Sequence, residues 1–554
     1  MRFYGVRLSA LALLLAACSS PGNGQYVVDT HVTEVLPFDS IDHDGPGFDI
    51  EVDSQPLDSA DIPDGKPDLP GELDTPGVDG DSLAHDDADT GSGCGDDCPM
   101  PDPLWAVSMG GEMADVALSV ATGPDGSIYV GGHTNSKTFQ VAGEVQGQIP
   151  ASDVRQVFIT RLLPDGTPDW TRLLGGEADD RLRAVAPRAS GGVLAAGFTG
   201  STKLLIGTEQ FNSGGKFDAW AAALDDDGKV IWAISFGGDK DEILLSIAED
   251  GDGNVFLGGY FSSSSVTLGD LSLTNTLGSE QYDLMVIKLD ATGKPLWARV
   301  LGGTGFDYVH SLAADAMGNV YFLGALSGAG MLFDGELVTT NGERDVLVGS
   351  LTAAGDPRWV RHFGGTNHDA GHALTVSAAG DVYITGSLQS AVVDFGGGPI
   401  EHIGALDKHD IFLARLTADG EPVWSHGFGG VDWDLSKCLA LDQEGNLYMV
   451  GAFFSPVITL GGEPLAGGGP GANLSEVFVA AYGLDGSHRW SEALGGADDD
   501  VAYWVSVGSS GVVAFAGSFN GSADGAPPPA GSMDPGTGPL ATYQGRDSFV
   551  VRLK

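Results

Sequence analysis

The side chains best suited to chemistry are acids and histidines from two neighbouring stretches in the middle of the chain. Asp307, His310, His368, Asp369 and His372 supply carboxylate oxygens and imidazole nitrogens, which are ligands that divalent transition metals bind. The sequence therefore predicts a divalent-cation site at these five residues and indicates no other cofactor. The alternative is that the histidines are hydrated polar groups lining a channel.

Aromatic rings accompany this cluster in three consecutive sequence repeats. Phe306, His368 and Trp433 each stand directly before an acid, where the other repeats carry smaller or polar residues. An exposed aromatic ring offers a flat apolar face with a defined geometry for stacking. We predict a ligand-binding platform for a sugar or a peptide, and the alternative is that the rings only cover the loops.

An acid also recurs four residues after the second member of seven glycine pairs. A carboxylate in a turn just before a strand usually accepts backbone N–H bonds, so a structural role is expected, and a cation site at a channel mouth is the alternative. The acids are Asp115, Asp180, Glu242, Asp307, Asp369, Asp434 and Asp500.

No motif for a catalytic centre is present in the sequence. There is no Gly-x-Ser-x-Gly elbow, no His-Glu-x-x-His pair and no unique nucleophile beside a base, so common hydrolase mechanisms are not indicated. Because the chain has many acids, two carboxylates at glycosidase spacing remain an open alternative. The chain is thus more readily interpreted as a binding protein than as an enzyme.

The elements that carry these residues repeat along the chain. Each repeat has a tryptophan, a glycine pair, an acid, and then short alternating apolar segments separated by Gly, Asp and Asn turns, which is typical of β-strands. The glycine pairs are expected to be tight turns that need positive φ. The repeats start near Trp105, Trp170, Trp232, Trp297, Trp359, Trp424 and Trp490.

Four short strands in each of seven repeats predict an all-β, seven-bladed β-propeller over residues 105–554. The chain ends in a third strand, residues 547–554, that lacks its own Trp strand. Residues 105–109 are therefore expected to complete the last blade. The tryptophans are interpreted as packing residues, and Cys438 as a small packed residue.

The strand sequences carry a family resemblance. Val382-Tyr-Ile-Thr-Gly386 and Asp283-Leu-Met-Val-Ile-Lys-Leu289 resemble the second and third blade strands of SBBP-type propeller-repeat proteins. The resemblance covers residues 105–554, and it implies the propeller fold while saying almost nothing about activity.

The N-terminus has the form of an export signal. Arg2 and Arg7 precede the apolar residues 8–17 and then Cys18, which predicts a signal peptide over residues 1–17 that is too short to span a membrane. Leu15-Ala16-Ala17-Cys18 resembles the lipobox of bacterial lipoproteins. This resemblance implies lipid on Cys18 and, with Ser19 next, placement in the outer membrane. An ordinary secretory signal that discards Cys18 is the alternative.

Residues 18–104 are expected to form a disordered acidic tether after the lipidated cysteine. This stretch is rich in Asp, Pro and Gly and poor in apolar residues, so it buries too little surface to offset the entropy of ordering. Cys94 and Cys98 are predicted to form a small local disulfide in an oxidising compartment. Calcium binding by the Asp runs is the alternative to a simple spacer.

The net charge of −49 makes nucleic acid an improbable partner, because phosphate binding draws on basic patches. The long connections 133–156, 261–282 and 452–475 are expected to share one face with the acid-bearing loops, and that face is where ligands are expected. The sequence thus favours a monomeric envelope lipoprotein that attaches to membrane through Cys18 and presents a propeller for protein or polysaccharide binding. An envelope glycan hydrolase or lyase and a purely structural surface protein are the alternatives.

Overall fold

The computed structural model describes residues 100–148, 154–276, 281–467, 474–496, 499–509, 511–520, 533–543 and 545–554. The predicted signal peptide, Cys18, Cys94, Cys98 and nearly all of the tether lie outside these ranges. The described residues contain β-strands and turns but no helix, and therefore no helix long and apolar enough to cross a membrane.

Seven antiparallel sheets, which we call blades 1 to 7, are arranged in a closed ring in the described part of the chain. The innermost strand of each blade contacts the innermost strand of the next, and that of blade 7 contacts that of blade 1. The predicted seven-bladed β-propeller is confirmed. The innermost strands are Asp115–Thr122, Asp180–Pro187, Glu242–Glu249, Tyr308–Ala314, Asp369–Val376, Asp434–Leu441 and Asp500–Val507.

Each blade adds a second, a third and an outer strand in antiparallel order. The second strands are Ile128–Thr134, Val193–Thr199, Val255–Phe261, Val320–Ser327, Val382–Leu388, Asn446–Phe453 and Val513–Asn520. The third strands are Gln156–Leu162, Asp218–Leu224, Asp283–Leu289, Arg344–Leu351, Asp410–Leu416, Glu476–Gly483 and Arg546–Leu553. The outer strands are Pro168–Leu174, Val230–Phe236, Pro295–Leu301, Pro357–Phe363, Pro422–Phe428, His488–Leu494 and, for blade 7, Pro103–Gly110.

Small hairpins lie between the second and third strands of blades 1 to 6. Several of them reach the outer strand of the preceding blade, as where Met109 pairs with Val141 and Gly303 with Met331. The hairpins therefore help to join neighbouring blades. Their strands are Thr138–Val141 with Glu144–Gln148, Lys203–Ile206 with Glu209–Asn212, Ser265–Leu268 with Leu271–Thr274, Met331–Phe333 with Glu336–Val338, Val392–Asp394 with Pro399–Glu401, and Val457–Ile458 with Leu465–Ala466.

The last blade is closed by the N-terminal strand, as the sequence predicts. Pro103–Gly110 pairs with Arg546–Leu553, with Trp105 opposite Arg552 and Met109 opposite Ser548. The strand begins two residues before Trp105. Both ends of the propeller therefore meet in one sheet, so the ring has no open seam there.

Among the described residues, six of the seven repeated tryptophans pack on a glycine turn of the next blade. The indole N–H of Trp359 donates to the carbonyl of Ala418, 2.9 Å away in the turn before the next outer strand. Gly420 of that turn has a φ of +76°, and a Cβ there would lie 2.6 Å from the Trp359 ring. The ring therefore packs on a turn that only glycine fits, which agrees with the packing role expected for these residues.

A small side chain near the middle of the innermost strand makes a second link between blades. Ser246 Oγ accepts from the Leu312 amide at 3.0 Å, and Ser311 Oγ accepts from the Leu374 amide at 3.1 Å. Cys438 holds the same position in blade 6, where it is buried with its Sγ 3.5 Å from the Val505 carbonyl. The interpretation of Cys438 as a packed residue agrees with this placement.

The explanation expected for the glycine pairs is wrong in most blades. Among the seven pairs only Gly175 has a positive φ. Glycine is instead required because other side chains approach the backbone closely. A Cβ on Gly429 would overlap the Asp410 carboxylate, and one on Gly430 would lie within 2.5 Å of Ser455. Each pair passes directly over buried polar side chains that leave no room for a methyl group.

Candidate functional site

The innermost strands begin on one face of the ring, which we call the loop face. Asp307, at the start of blade 4, accepts hydrogen bonds from the Gly303 and Ser327 amides, both at 2.9 Å. The start of an innermost strand therefore lies beside the end of the second strand. The opposite face has tight turns, such as the one closed by the Gly166 amide and the Leu163 carbonyl at 2.8 Å.

The seven recurring acids are buried, and those of blades 1 to 6 bind the loops rather than the channel. Asp369 accepts from the Gly365 amide at 2.9 Å and from Ser390 Oγ at 2.6 Å. Asp434 has equivalent contacts with the Gly430 amide at 2.7 Å and Ser455 Oγ at 2.8 Å. These bonds support the structural role expected for the acids and leave the cation site at the channel mouth without evidence.

A second set of buried acids, which the sequence reasoning missed, stands at the third strands. Asp547 of blade 7 and Asp115 of blade 1 both lie close to Gly110, so the two carboxyl groups are neighbours across a blade boundary. Burial raises the pKa of Asp115, Asp307 and Asp434 to about 7. For this second set, the signal available in the sequence was the recurrence of an acid at the third strand. The set is Asp218, Asp283, Asp345, Asp410, Glu476 and Asp547.

The two histidines of the innermost strands form a short chain between blades. His310 Nδ1 lies 2.6 Å from the His372 carbonyl, and His372 Nδ1 lies 2.7 Å from the Ser436 carbonyl. Since a carbonyl only accepts, both Nδ1 atoms carry the proton. Burial, followed by the nearby His310 and Lys437, lowers the pKa of His372 to about 3, so this ring is neutral at physiological pH.

The five residues predicted as metal ligands are not arranged as one ligand group. The carboxylates of Asp307 and Asp369 face loop amides, while the imidazole of His368 pairs with Glu343 at 2.7 Å. Across the ranges that the structure describes, no group of three or more His, Cys, Asp or Glu side chains could hold a metal ion. Sequence spacing placed these residues on adjacent blades but could not give the direction of their carboxylates.

The predicted aromatic platform lies on the loop face and is larger than the sequence indicated. Phe306 packs edge-on against Tyr282 with 5.0 Å between ring centroids, and Tyr282 stacks on Tyr260 at 4.8 Å. Tyr260 also meets Tyr308 at 6.5 Å. Phe306 and Tyr282 are half-buried, whereas Tyr260 and Tyr308 are buried beneath them.

Basic groups continue this aromatic surface across blades 4 and 5. The guanidinium of Arg344 lies 5.5 Å from the centre of the Tyr308 ring, a cation–π geometry. The backbone of Arg344 also pairs with the backbone of His368 in a parallel β-bridge. Burial, and then the charge of Arg344, lowers the pKa of His368.

The surface ends at Trp433 in blade 6. Its ring lies 4.7 Å from that of His409, and Lys408 Nζ stands 5.8 Å from its centre while pairing with Asp432 at 3.0 Å. We use the name mouth arc for the eight residues Tyr260, Tyr282, Phe306, Tyr308, Arg344, His368, His409 and Trp433. Phe306, His368 and Trp433 were predicted, and their partners from the third strands were missed.

Comparisons with known proteins give distant likeness. No family model matches the chain. The regulatory protein FlaEY of Caulobacter vibrioides is 27% identical over 231 residues, covering 40% of this chain and 23% of that protein. An uncharacterised WD repeat-containing protein, L264, of Acanthamoeba polyphaga mimivirus is 20% identical over 460 residues, covering 75% of this chain and 30% of that protein. The matches thus span less than a third of the length of either relative.

Solved structures with detectable likeness are also distant. The WD40 domain of Neurospora crassa Pan2 aligns with a TM-score of 0.39 at 10% identity, covering 79% of this chain and 89% of that one. Sqt1 of Chaetomium thermophilum aligns with a TM-score of 0.35 at 11% identity, covering 75% and 96%. The propeller of this chain is defined by its own strand pairing.

Proposed function

We propose that this chain is a cell-envelope lipoprotein with SBBP-type repeats that presents its propeller as a polysaccharide-binding module. The mouth arc carries the proposal. It places half-exposed aromatic rings from three blades, at Tyr282, Phe306 and Trp433, on the loop face together with the half-exposed imidazole of His368. Sugar rings have apolar faces edged by hydroxyl groups, and a surface that alternates aromatic and polar groups suits both parts.

The envelope setting comes from the N-terminal sequence. Residues 1–17 as a signal peptide, lipid on Cys18 and an acidic tether over residues 18–104 together attach the propeller to a membrane, with the outer membrane proposed from Ser19. An envelope protein on a long tether meets surface polysaccharides directly. Labelling with a radioactive fatty acid tests the anchor, and equal labelling of wild type and Cys18→Ala would contradict it.

The binding proposal is tested with a panel of neutral and acidic bacterial polysaccharides in affinity electrophoresis. Wild type is expected to be retarded by at least one of them. Phe306→Ala and Trp433→Ala are each expected to reduce that retardation, because each removes one stacking face. Ile231→Ala is the matched control, since Ile231 is an exposed apolar residue on the outer strand of blade 2.

The same samples separate the remaining functions. Retardation that is unchanged in both arc variants would contradict binding at the mouth arc. Binding to an envelope protein in place of any polysaccharide would point to the protein-binding module, and shortened polysaccharide products would point to the hydrolase or lyase. A folded protein with none of these activities would point to the purely structural surface protein.

A further inference from the structure

Every innermost strand contains one residue that the backbone pairing register with the second strand skips. The pairing register with the second strand shifts at the same point in all seven blades, for example between Leu182 and Ala184 and between Ser436 and Cys438. This is a β-bulge, which re-aims the extra side chain. The bulged residues are Leu118, Arg183, Leu245, His310, His372, Lys437 and Tyr503.

These seven residues stand on the strands that surround the central channel, and we call them the channel ring. The innermost strands are the closest to the ring axis, yet six of the seven bulged residues are partly exposed to solvent, Leu118 being the buried one. The bond from His310 Nδ1 to the carbonyl of His372 joins two ring members of adjacent blades.

The channel ring has the opposite charge to the rest of the molecule. The chain has a net charge of −49, but the ring contains Arg183, Lys437 and two histidines and no acid. The acids that begin the innermost strands are buried in the loops. After these starting acids, the innermost strands carry one further acid, Glu249, at the far end of blade 3.

His372 lies within electrostatic range of two other members of the channel ring. Its pKa falls to about 3 chiefly through burial, and both His310 and Lys437 add to the fall. His409 of the mouth arc, which lies beneath Trp433, has its pKa lowered by burial and then by His368, His402, Lys437 and Arg344. Lys437 therefore lies close enough to His372 of the channel ring and to His409 of the mouth arc to affect both.

We propose that the channel ring binds an oxyanion, a carboxylate, sulfate or phosphate group carried by the ligand of the mouth arc, so that the ligand is an acidic polysaccharide. This inference rests on the proposed function for the identity of the carrier. Arg183 supplies a planar guanidinium suited to bidentate oxyanion contact, and Lys437 supplies a compact charge near the mouth arc.

The oxyanion site is tested first without any polysaccharide. Inorganic phosphate and glucuronate are titrated against the full chain by isothermal calorimetry, at constant ionic strength because ionic attraction is screened by salt. Saturable binding is expected, and Arg183→Gln and Lys437→Gln should each weaken it by at least tenfold. Arg183→Lys, which keeps the charge, should weaken it less. Arg299→Gln is the matched control because Arg299 is a half-exposed arginine of an outer strand.

Absence of saturable binding of either anion, or equal affinity in wild type and both Gln variants, would overturn the channel site. Melting temperatures of the variants identify any loss of fold. Should Arg183→Gln fail to fold, Lys437→Gln decides alone, because Lys437 lies on a different blade.

Comparison of two polysaccharides that differ only in charge separates this inference from the proposed function. Dextran and dextran sulfate share one backbone and differ in charge. The inference predicts that wild type prefers dextran sulfate by at least tenfold and that Lys437→Gln abolishes this preference while Trp433→Ala weakens both. Equal binding of both polymers in wild type would overturn the oxyanion site and leave the mouth arc standing. Phosphate binding with no polysaccharide binding would overturn the mouth arc and leave the channel ring standing.

Discussion

The indole N–H of Trp105 donates to the carbonyl of Pro164 across 3.0 Å, which joins the two ends of the propeller. Trp105 belongs to the outer strand of blade 7, and Pro164 to a turn of blade 1. The same N-terminal strand pairs with the C-terminal strand Arg546–Leu553. One short segment therefore completes a blade and fastens it to the next.

Deletion of Pro103–Gly110 should strongly lower the melting temperature measured by circular dichroism. Without this strand the C-terminal strand has an unpaired edge, and the link to blade 1 is lost. Trp105→Phe is the control, because it keeps the strand and removes one hydrogen bond, a loss of about 1 kcal/mol. A deletion variant that melts like wild type would show that the ring is not closed by this strand.

Gly420→Ala should destabilise the protein by roughly 2–4 kcal/mol in urea denaturation, from a positive φ combined with overpacking. Its new methyl group would press on the Trp359 ring at 2.6 Å. Gly126→Ala provides the matched comparison, because Gly126 has a φ of +81° but no atom nearer than 3.8 Å. It should cost only the backbone strain, about 1 kcal/mol. Equal losses for both variants would contradict the packing of Trp359 on the turn.

Asp434→Asn should become more stable relative to wild type as pH rises from 5 to 8. Burial raises the pKa of Asp434 to about 7, above the value of about 3.9 for an unfolded chain. Between these values the native state holds a proton that the unfolded state lacks, so stability from Asp434 is lost as pH rises through 7. The relative change should reach roughly 2–4 kcal/mol at full burial.

The prediction for Asp434→Asn is stated as a difference between the variant and wild type because His372 and His409 act in the opposite direction. Their pKa values are lowered to about 3, so their contribution is lost as pH falls below about 6.5. Wild type and variant both contain these histidines, so the histidine contribution to stability cancels in the difference. Asp419→Asn, at an exposed turn position, should show a difference that is flat with pH. A flat difference for Asp434→Asn as well would contradict the buried carboxyl.

Cys438 should not react with Ellman's reagent in the native protein. Burial raises the pKa of its thiol to about 12, and the thiolate is the reactive form. A variant with Cys18, Cys94 and Cys98 changed to Ser isolates this thiol. Rapid modification is expected only in denaturant, and rapid modification without denaturant would place Cys438 outside the core.

The repeat pattern was enough to predict the ring of blades, because strand period and turn residues are local signals. The sequence could not show in the same way that the predicted metal ligands face different partners, or which further residues belong to the mouth arc. Tyr282 meets Phe306 because the third strand of one blade starts beside the innermost strand of the next, a relationship between blades that sequence spacing does not contain. The positive φ predicted for the glycine pairs was wrong for a similar reason, since the side chains that crowd these glycines lie on other strands.

Hydrogen–deuterium exchange with and without a bound acidic polysaccharide tests the central claim most directly. Binding at the mouth arc predicts slowed exchange in the loops that carry Phe306, His368 and Trp433, with unchanged exchange in the opposite-face turns at Gly166 and Gly420. Slowed exchange confined to those opposite-face turns, or spread evenly over all seven blades, would contradict the account.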